Sequence, residues 1–545
     1  MPVAPTYPGI YIEEVPSGVR TITGVSTSDT AFVDYFPRGP VDTAVRVTSF
    51  ADFQRVFGGL DQGSAASYAI QQFYRNGGQI AWVVRVVPLG DDDAPTATAA
   101  TRALTAGDPP VSTLVVEAAN PGEWGNSVQV AVAQPPGTAA DRFNLIVREV
   151  VTANGVPVTM SNGRAQVIAS ETHLNLSMNT GDSRHAIAAV NAESALVRLS
   201  DAGPGEIPTP VALDPRGNVP EDAFELLENG DNGEAPDSAA LIGDANLKTG
   251  MYALDRIEPF VFNLLCLPAA ANLDVAADPP ATPNLISVLT AAQAYCEEKL
   301  AFLIADIPDW VNALDEVQEW LQGIEANGAR HRNSAVYFPR LEIPDGLNQN
   351  RPRNVGASGT LAGVYARTDA TRGVWKAPAG TEATLRGAAV AQRMTDPENG
   401  AINPLGINAL RNFPIFGTVS WGGRTLDGAD QQASEWKYIP IRRTALYIEQ
   451  SLFQGLKWVV FEPNDEPLWA QIRLNAGAFM QNLFRQGAFQ GSTPRDAYFV
   501  KCDHETNPQF DIDRGIVNIV VGFAPLKPAE FVILRIQQIA RAAEA

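Results

Sequence analysis

Cysteine and histidine are scarce in this chain, and basic residues fall well short of acidic ones. The three cysteines, Cys266, Cys296 and Cys502, are far apart and odd in number, which argues against a disulfide framework and fits a reducing compartment. The four histidines, His173, His185, His331 and His504, lie in separate regions. With 40 Lys and Arg against 61 Asp and Glu the net charge is −21, which opposes binding to nucleic acid, whose phosphates require clustered cations. No apolar run approaches the roughly 18 residues of a membrane span, so no direct membrane insertion is expected. The opening MPVAPTYPGIYIEEV has no basic region followed by an apolar stretch, so no secretory signal peptide is expected and synthesis should finish in the cytoplasm.

The motifs of common enzymes are missing as well. There is no G-x-x-x-x-G-K-[ST] phosphate loop and no G-x-S-x-G elbow. Cys502-Asp503-His504-Glu505 gathers metal-competent side chains, but neighbours on a strand point to opposite faces and cannot converge on one ion without a turn. Asp306 and Asp309 follow an expected strand at a place where α/β sheets put functional carboxylates. The same place suits a helix cap, and no partner motif accompanies them. Asp511 and Asp513 read as turn residues. No catalytic residue, metal or cofactor is therefore expected.

What is present is a long chain with an ordinary globular composition, 45% hydrophobic and 19% charged. Its 545 residues are too many for one core and call for roughly three or four domains. The densest stretch runs from Trp421 to Ala542. There we expect a strand-like run Tyr438 to Ile441, a helix Arg443 to Gln454, a strand Leu456 to Phe461 and a turn at Glu462-Pro463-Asn464-Asp465. A second helix, Leu468 to Phe484, carries Leu468, Trp469, Ile472, Ala476, Phe479, Met480 and Leu483 on one face. Strands Ala497 to Cys502 and Ile516 to Phe523 follow, so the segment reads as a compact mixed sheet with two covering helices and a β-branched tail.

Toward the N-terminus, YPGIYIEEV is extended and apolar beside Pro5, Pro8 and Pro16, a strand without a local partner. Next come a strand Thr30 to Phe36, helices Ser49 to Phe57 and Ala65 to Asn76, a Gly77-Gly78 cap, and a strand Ile80 to Val87. From Gly90 to about Asp237 short alternating strands, with Asn154-Gly155 as a hairpin turn, indicate an inserted β-rich domain. Strand Val261 to Leu267, helix Asn284 to Glu298 and strand Leu300 to Ile307 form a βαβ pattern of a parallel sheet. A helix Val311 to Ala326 and a strand Ser334 to Pro339 continue it.

Several of these stretches, in order, resemble contractile tail sheath proteins of phage tails and related injection systems. The matching words are PGIYIEEV, AGVYARTD, RGVWKAPAG, INPLGINALR, Trp421 to Leu426, Tyr438 to Arg443, Tyr447 to Leu452, Phe461 to Asp465 and Pro525 to Phe531. Gly423 stands where the family more often has alanine, and Ala357 where it usually has proline. The match covers about residues 5–90 and 225–541 and leaves the insertion unsupported. The resemblance implies a multi-domain α+β fold: a mixed α/β sheath core built from N-terminal and C-terminal parts, an inserted β-rich outer domain, and extended strand arms at both termini.

The expected divisions are 1–24 (N-terminal arm), 25–90 (N-terminal part of the core), 91–237 (insertion), 238–350 (central α/β domain), 351–527 (C-terminal sheath domain) and 528–545 (C-terminal arm). The resemblance further implies a structural subunit that polymerises helically around an inner tube and shortens to drive the tube through a target envelope. Ile10, Tyr11, Ile12, Val15, Phe531, Val532, Leu534 and Ile536 would exchange strands between subunits. Gln471, Arg473, Asn475, Asn482 and Arg485 would meet the inner tube. The implied partners are further copies of the chain, an inner tube protein, and baseplate and tail-terminator or cap proteins. Assembly into a phage tail or injection particle would take place in the cytoplasm of the producing bacterium. The competing readings are an α/β enzyme with an inserted β domain, which rests on fold pattern alone, and a cell-surface binding module, which the missing signal peptide disfavours.

Overall fold

The computed structural model describes residues 20–91, 94–134, 141–203, 205–214, 217–257, 262–274 and 282–535. Its centre is an eight-stranded sheet gathered from three parts of the chain. The strands are Thr30–Asp34 (β1), Val45–Val47 (β2), Ala81–Arg85 (β3), Leu264–Cys266 (β4), Phe302–Ala305 (β5), Ser334–Phe338 (β6), Asn408–Phe413 (β7) and Gly417–Ser420 (β8). They lie in the order β2-β3-β1-β4-β5-β6-β7-β8. The run from β3 to β7 is parallel, and β2 and β8 close the edges antiparallel. The parallel strands are short apolar words buried at almost every position (TAFVD, LLC, FLIA, SAVYF), as a sheet covered on both faces requires.

Side-chain alternation along these strands feeds two cores. One face presents Ala31, Val33, Leu265, Leu303 and Val336 to helices Pro283–Glu298 and Leu314–Ala326, which contribute Leu289 and Trp320. The other presents Phe32, Leu264, Phe302, Ile304 and Tyr337 to Phe50–Phe57 (α1), Ala65–Asn76 (α2) and Ser358–Arg372 (α3). Ser49 and Ser64 cap α1 and α2 at their N-termini, and Gly58 and Gly77 end them in the left-handed region, Gly77 being the cap expected from sequence. Helix α3 reaches unusually close to α2 through Gly359 and Gly363. A Cβ on Gly359 would stand 2.2 Å from the Ala69 carbonyl oxygen, and one on Gly363 2.4 Å from that of Phe73.

The strands between Thr101 and Leu226 form an antiparallel sandwich of a four-stranded and a three-stranded sheet around Leu114, Val116, Val130, Phe143, Leu145 and Val197. Asn154 and Gly155 take φ of 52° and 76° between the paired segments Thr152–Ala153 and Val156–Pro157, the left-handed pair that a two-residue hairpin needs. The sandwich hangs from β3. Buried Arg85 donates to the carbonyls of Gly39 (3.0 Å), Pro121 (2.6 Å) and Asn232 (3.4 Å), so one guanidinium ties the core to the sandwich. Arg38 adds an ion pair to Glu149 at 2.9 Å and lies 4.0 Å above the Trp124 ring.

After the sheet come the helices Ile439–Gly455 (α4) and Glu466–Arg485 (α5), then strands Tyr498–Lys501 (β9) and Val520–Phe523 (β10). This part departs from the sequence expectation in three ways. Tyr438 makes a single bridge to Arg424, and Ile439–Ile441 already belong to α4, whose first turn accepts Pro440 because that position needs no N–H. Leu456 to Phe461 is no strand. Lys457–Val459 form a 3₁₀ turn, because the chain must reverse from α4 into α5 and no strand among the described residues pairs with it. Finally, the sheet is a two-stranded antiparallel ladder rather than a mixed one. The turn at Glu462 to Asp465 is found where expected, with Asp465 capping α5.

Candidate functional site

Helix α5, the β9–β10 ladder and the roots of the two terminal arms meet in the C-terminal part. The apolar stripe of α5 is buried as read from sequence: Leu468, Trp469, Ile472, Ala476, Phe479, Met480 and Leu483 are all in the interior. Asn475 joins them at 1% exposure, which corrects its expected place among the outward residues. It lies three residues after Ile472 and seven after Leu468, on the stripe itself, and its Oδ1 accepts the backbone N–H of Arg20 at 3.1 Å. Arg473 is also occupied: it donates to the Cys502 carbonyl and pairs with Glu466 at 2.6 Å. Gln471, Asn482 and Arg485 stand exposed, beside Ala470, Leu474 and Ala478, with Gly477 half-buried between them.

The roots of both arms are clamped. Ile22 is buried among Ile448, Ala476 and Phe479, Arg20 lies 4.5 Å over the Trp458 ring, and Arg443 donates to the Thr27 carbonyl at 2.8 Å. At the other end Glu530 receives a two-pronged ion pair from Arg424, at 2.7 and 2.8 Å, together with Asn403 at 2.8 Å and Tyr438 at 3.1 Å. Burial alone would raise the Glu530 carboxyl, but the Arg424 and Asn403 hydrogen bonds outweigh it and hold it below the usual range. Arg424 is itself buried at 1% exposure and is raised by the same partner.

Beyond this clasp the chain lies open. Phe531, Val532 and Leu534 are exposed at 73%, 79% and 83% and belong to no strand. The β9–β10 ladder pairs Tyr498 with Phe523 and Lys501 with Val520, and among the described residues no third strand joins either edge. The remaining residues expected in strand exchange, Ile10, Tyr11, Ile12, Val15 and Ile536, lie outside the described residues.

The candidate chemical groups take structural positions. Asp503 accepts the N–H groups of Glu505 and Thr506 and closes a turn, with Cys502 buried and His504 exposed. Asp511 accepts from Asn518 and Asp513 from Gln509. Asp306 caps α3, accepting the Ser358 N–H at 2.8 Å and its hydroxyl at 2.5 Å. Asp34 does the same for α2 through the Ala66 N–H at 2.7 Å, a cap sequence reading missed because it closes across 32 residues. Burial raises both carboxyls, and Asp34 is pushed up to about 7 against its backbone hydrogen bonds, with Asp306 adding to the rise. Among the described residues no group of three His, Cys, Asp or Glu side chains could hold a metal ion, and no helix is long and apolar enough to cross a membrane.

The family-model match falls on this same region. Residues 431–539 match the family model of the phage tail sheath C-terminal domain. The chain is 27% identical over 232 residues to the tail sheath protein of Vibrio phage KVP40, covering 41% of this chain and 33% of that protein. It is 26% identical over 250 residues to a putative prophage major tail sheath protein of Pseudomonas aeruginosa, covering 45% of this chain and 59% of that one. The matches thus span one third and somewhat over half of those relatives. In structure the chain resembles the sheath complex of an extracellular contractile injection system, PVC, in its contracted state, with a TM-score of 0.55 and 20% identity over 98% of this chain and 99% of that one. The sheath tail protein of Listeria innocua gives a TM-score of 0.56 at 12% identity over 93% and 96%. Residues 431–539 thus match the phage tail sheath C-terminal domain, within a mixed α/β, multi-domain chain whose fold resembles that of solved contractile sheath proteins.

Proposed function

We propose that the chain is the structural subunit of a contractile sheath, polymerising helically around an inner tube by strand exchange and shortening to drive that tube through a target envelope. The reading is structural and not enzymatic, in keeping with relatives named as tail sheath proteins. The observation that carries it is the two-stranded β9–β10 ladder with free edges, beside an apolar arm segment that leaves the body at Glu530. A ladder so short is marginal alone and gains stability from added strands. Strands from neighbouring copies would supply main-chain hydrogen bonds while the linker permits rotation.

The outer face of α5 is the proposed tube contact, narrowed here to Gln471, Asn482 and Arg485 with Gly477 between. Baseplate and cap proteins would meet the ends of the assembly. Shortening draws on surface buried between subunits: at about 25 cal/mol per Å² of apolar area, a few hundred Å² per subunit amounts to several kcal/mol, without nucleotide.

Negative-stain microscopy of the full chain beside chains lacking residues 1–20 or 528–545 tests this. The full chain should form hollow striated tubes, alone or on an added inner tube, and both truncations should stay monomeric. Tubes from the truncated chains would overturn strand exchange.

A further inference from the structure

Building on that helical-polymer reading, we propose that a projecting aromatic loop of one copy docks into a cleft at the opposite end of α5 on the next copy. The loop is Val460-Phe461-Glu462. Phe461 is wholly exposed, Val460 is exposed at 64%, and Phe461 holds φ at +70°. A bulky side chain occupies that region only at a cost, and such strain gathers at functional positions. Strain and full exposure together gain the monomer nothing.

The cleft holds about 710 Å³ and opens around Gln486 and Gly487, just past the C-terminus of α5, among Trp375, Trp421 and Tyr438. Lys376, Lys527 and Glu530 share its lining. Glu530 is engaged by Arg424. The Lys376 ammonium donates to the carbonyls of Ala377 (2.8 Å) and Ala379 (3.1 Å), and burial lowers its pKa. Among the described residues no carboxylate lies within ion-pair distance of it. An aromatic ring followed by a carboxylate suits this lining: the ring of Phe461 meets the tryptophans, and Glu462 meets Lys376 and Lys527.

Helix α5 is 20 residues long, so about 30 Å separates the loop at its start from the cleft at its end. The loop cannot fill the cleft of its own chain. The contact is therefore head-to-tail, and one that does not close on itself propagates as a helix.

Two full-chain experiments test it. The native cysteines are all buried, so in a Glu462→Cys, Lys527→Cys chain a short bis-maleimide should link copies into a ladder on a denaturing gel, while each single variant stops at dimer. Phe461→Gly fits φ +70° without strain, so its thermal midpoint should hold or rise while the concentration needed for polymerisation rises roughly tenfold or more, as for the loss of a buried aromatic anchor. Tubes without a ladder, a lowered midpoint for Phe461→Gly, or its unchanged polymerisation would each overturn the contact. If the parent chain itself forms no tubes, the polymer reading fails and takes this contact with it.

Discussion

Asp34 and Asp306 each sit at the C-terminal end of a parallel strand and cap a helix that starts beside it. A carboxyl at a helix N-terminus satisfies free N–H groups and opposes the helix dipole, yet burial here makes ionisation costly. For Asp34 the cost dominates, and burial pushes its carboxyl up to about 7 from the usual 3.8. The native state therefore holds this proton where the unfolded chain has lost it. The resulting stability is fully present below 3.8 and is lost as pH rises toward about 7. Asp34→Asn cannot ionise, so its urea midpoint should change less than that of the parent between about pH 5 and about pH 8. Equal changes in both proteins would count against the raised Asp34. At this scale sequence reading did less well. Asp306 could be placed at its strand end, but its partner Ser358 is 52 residues away. Asn475 was misplaced because a polar side chain was taken to face outward, whereas here it lies on the buried stripe and answers a backbone N–H from residue 20.

Helix α5 shows how an element can be legible while its surroundings are not. Its apolar spacing predicted every buried apolar residue of the stripe, though not Asn475, because a stripe is a local, periodic property. The strand pair β9–β10 was legible in part: Tyr498–Lys501 falls within the expected strand, but of the expected run Ile516 to Phe523 only Val520–Phe523 is strand. The run Leu456 to Phe461 has strand composition, but β preference is realised only against a neighbouring strand, and among the described residues none pairs with it. The converse case is Asn408–Phe413, where Asn408, Arg411 and Asn412 hid a strand that pairs with its neighbours on both sides. Its Asn408 is buried and donates to the carbonyls of Val336 and Arg424, a compensation visible only in three dimensions. On the open face of α5 a Cβ at Gly477 would meet nothing within 4 Å. Gly477→Ala should therefore stabilise the monomer by about 0.5–1 kcal/mol in chemical unfolding. If this face meets the tube through the glycine, the same methyl should weaken loading of the subunit onto purified tubes.

Across the whole molecule, the sandwich is an excursion from one point of the core. Thr98 and Asp231 exchange backbone hydrogen bonds of 3.1 and 3.0 Å, so its entry and exit lie side by side. Replacing residues 99–230 with a short Gly-Ser linker should leave a chain that still unfolds cooperatively, read by circular dichroism on heating; a chain that loses its cooperative transition would mean the sandwich is part of the core's stability. The same excursion sets an order of events on the ribosome. Asp29 and Asn263, bonded where β1 meets β4, are 234 residues apart. At about 5–20 residues per second of synthesis, β1 waits roughly ten to fifty seconds for that neighbour. The sandwich, whose strands all fall between Thr101 and Leu226, completes itself in the interval. In the order of birth, the outlying domain is finished before the centre of the molecule exists.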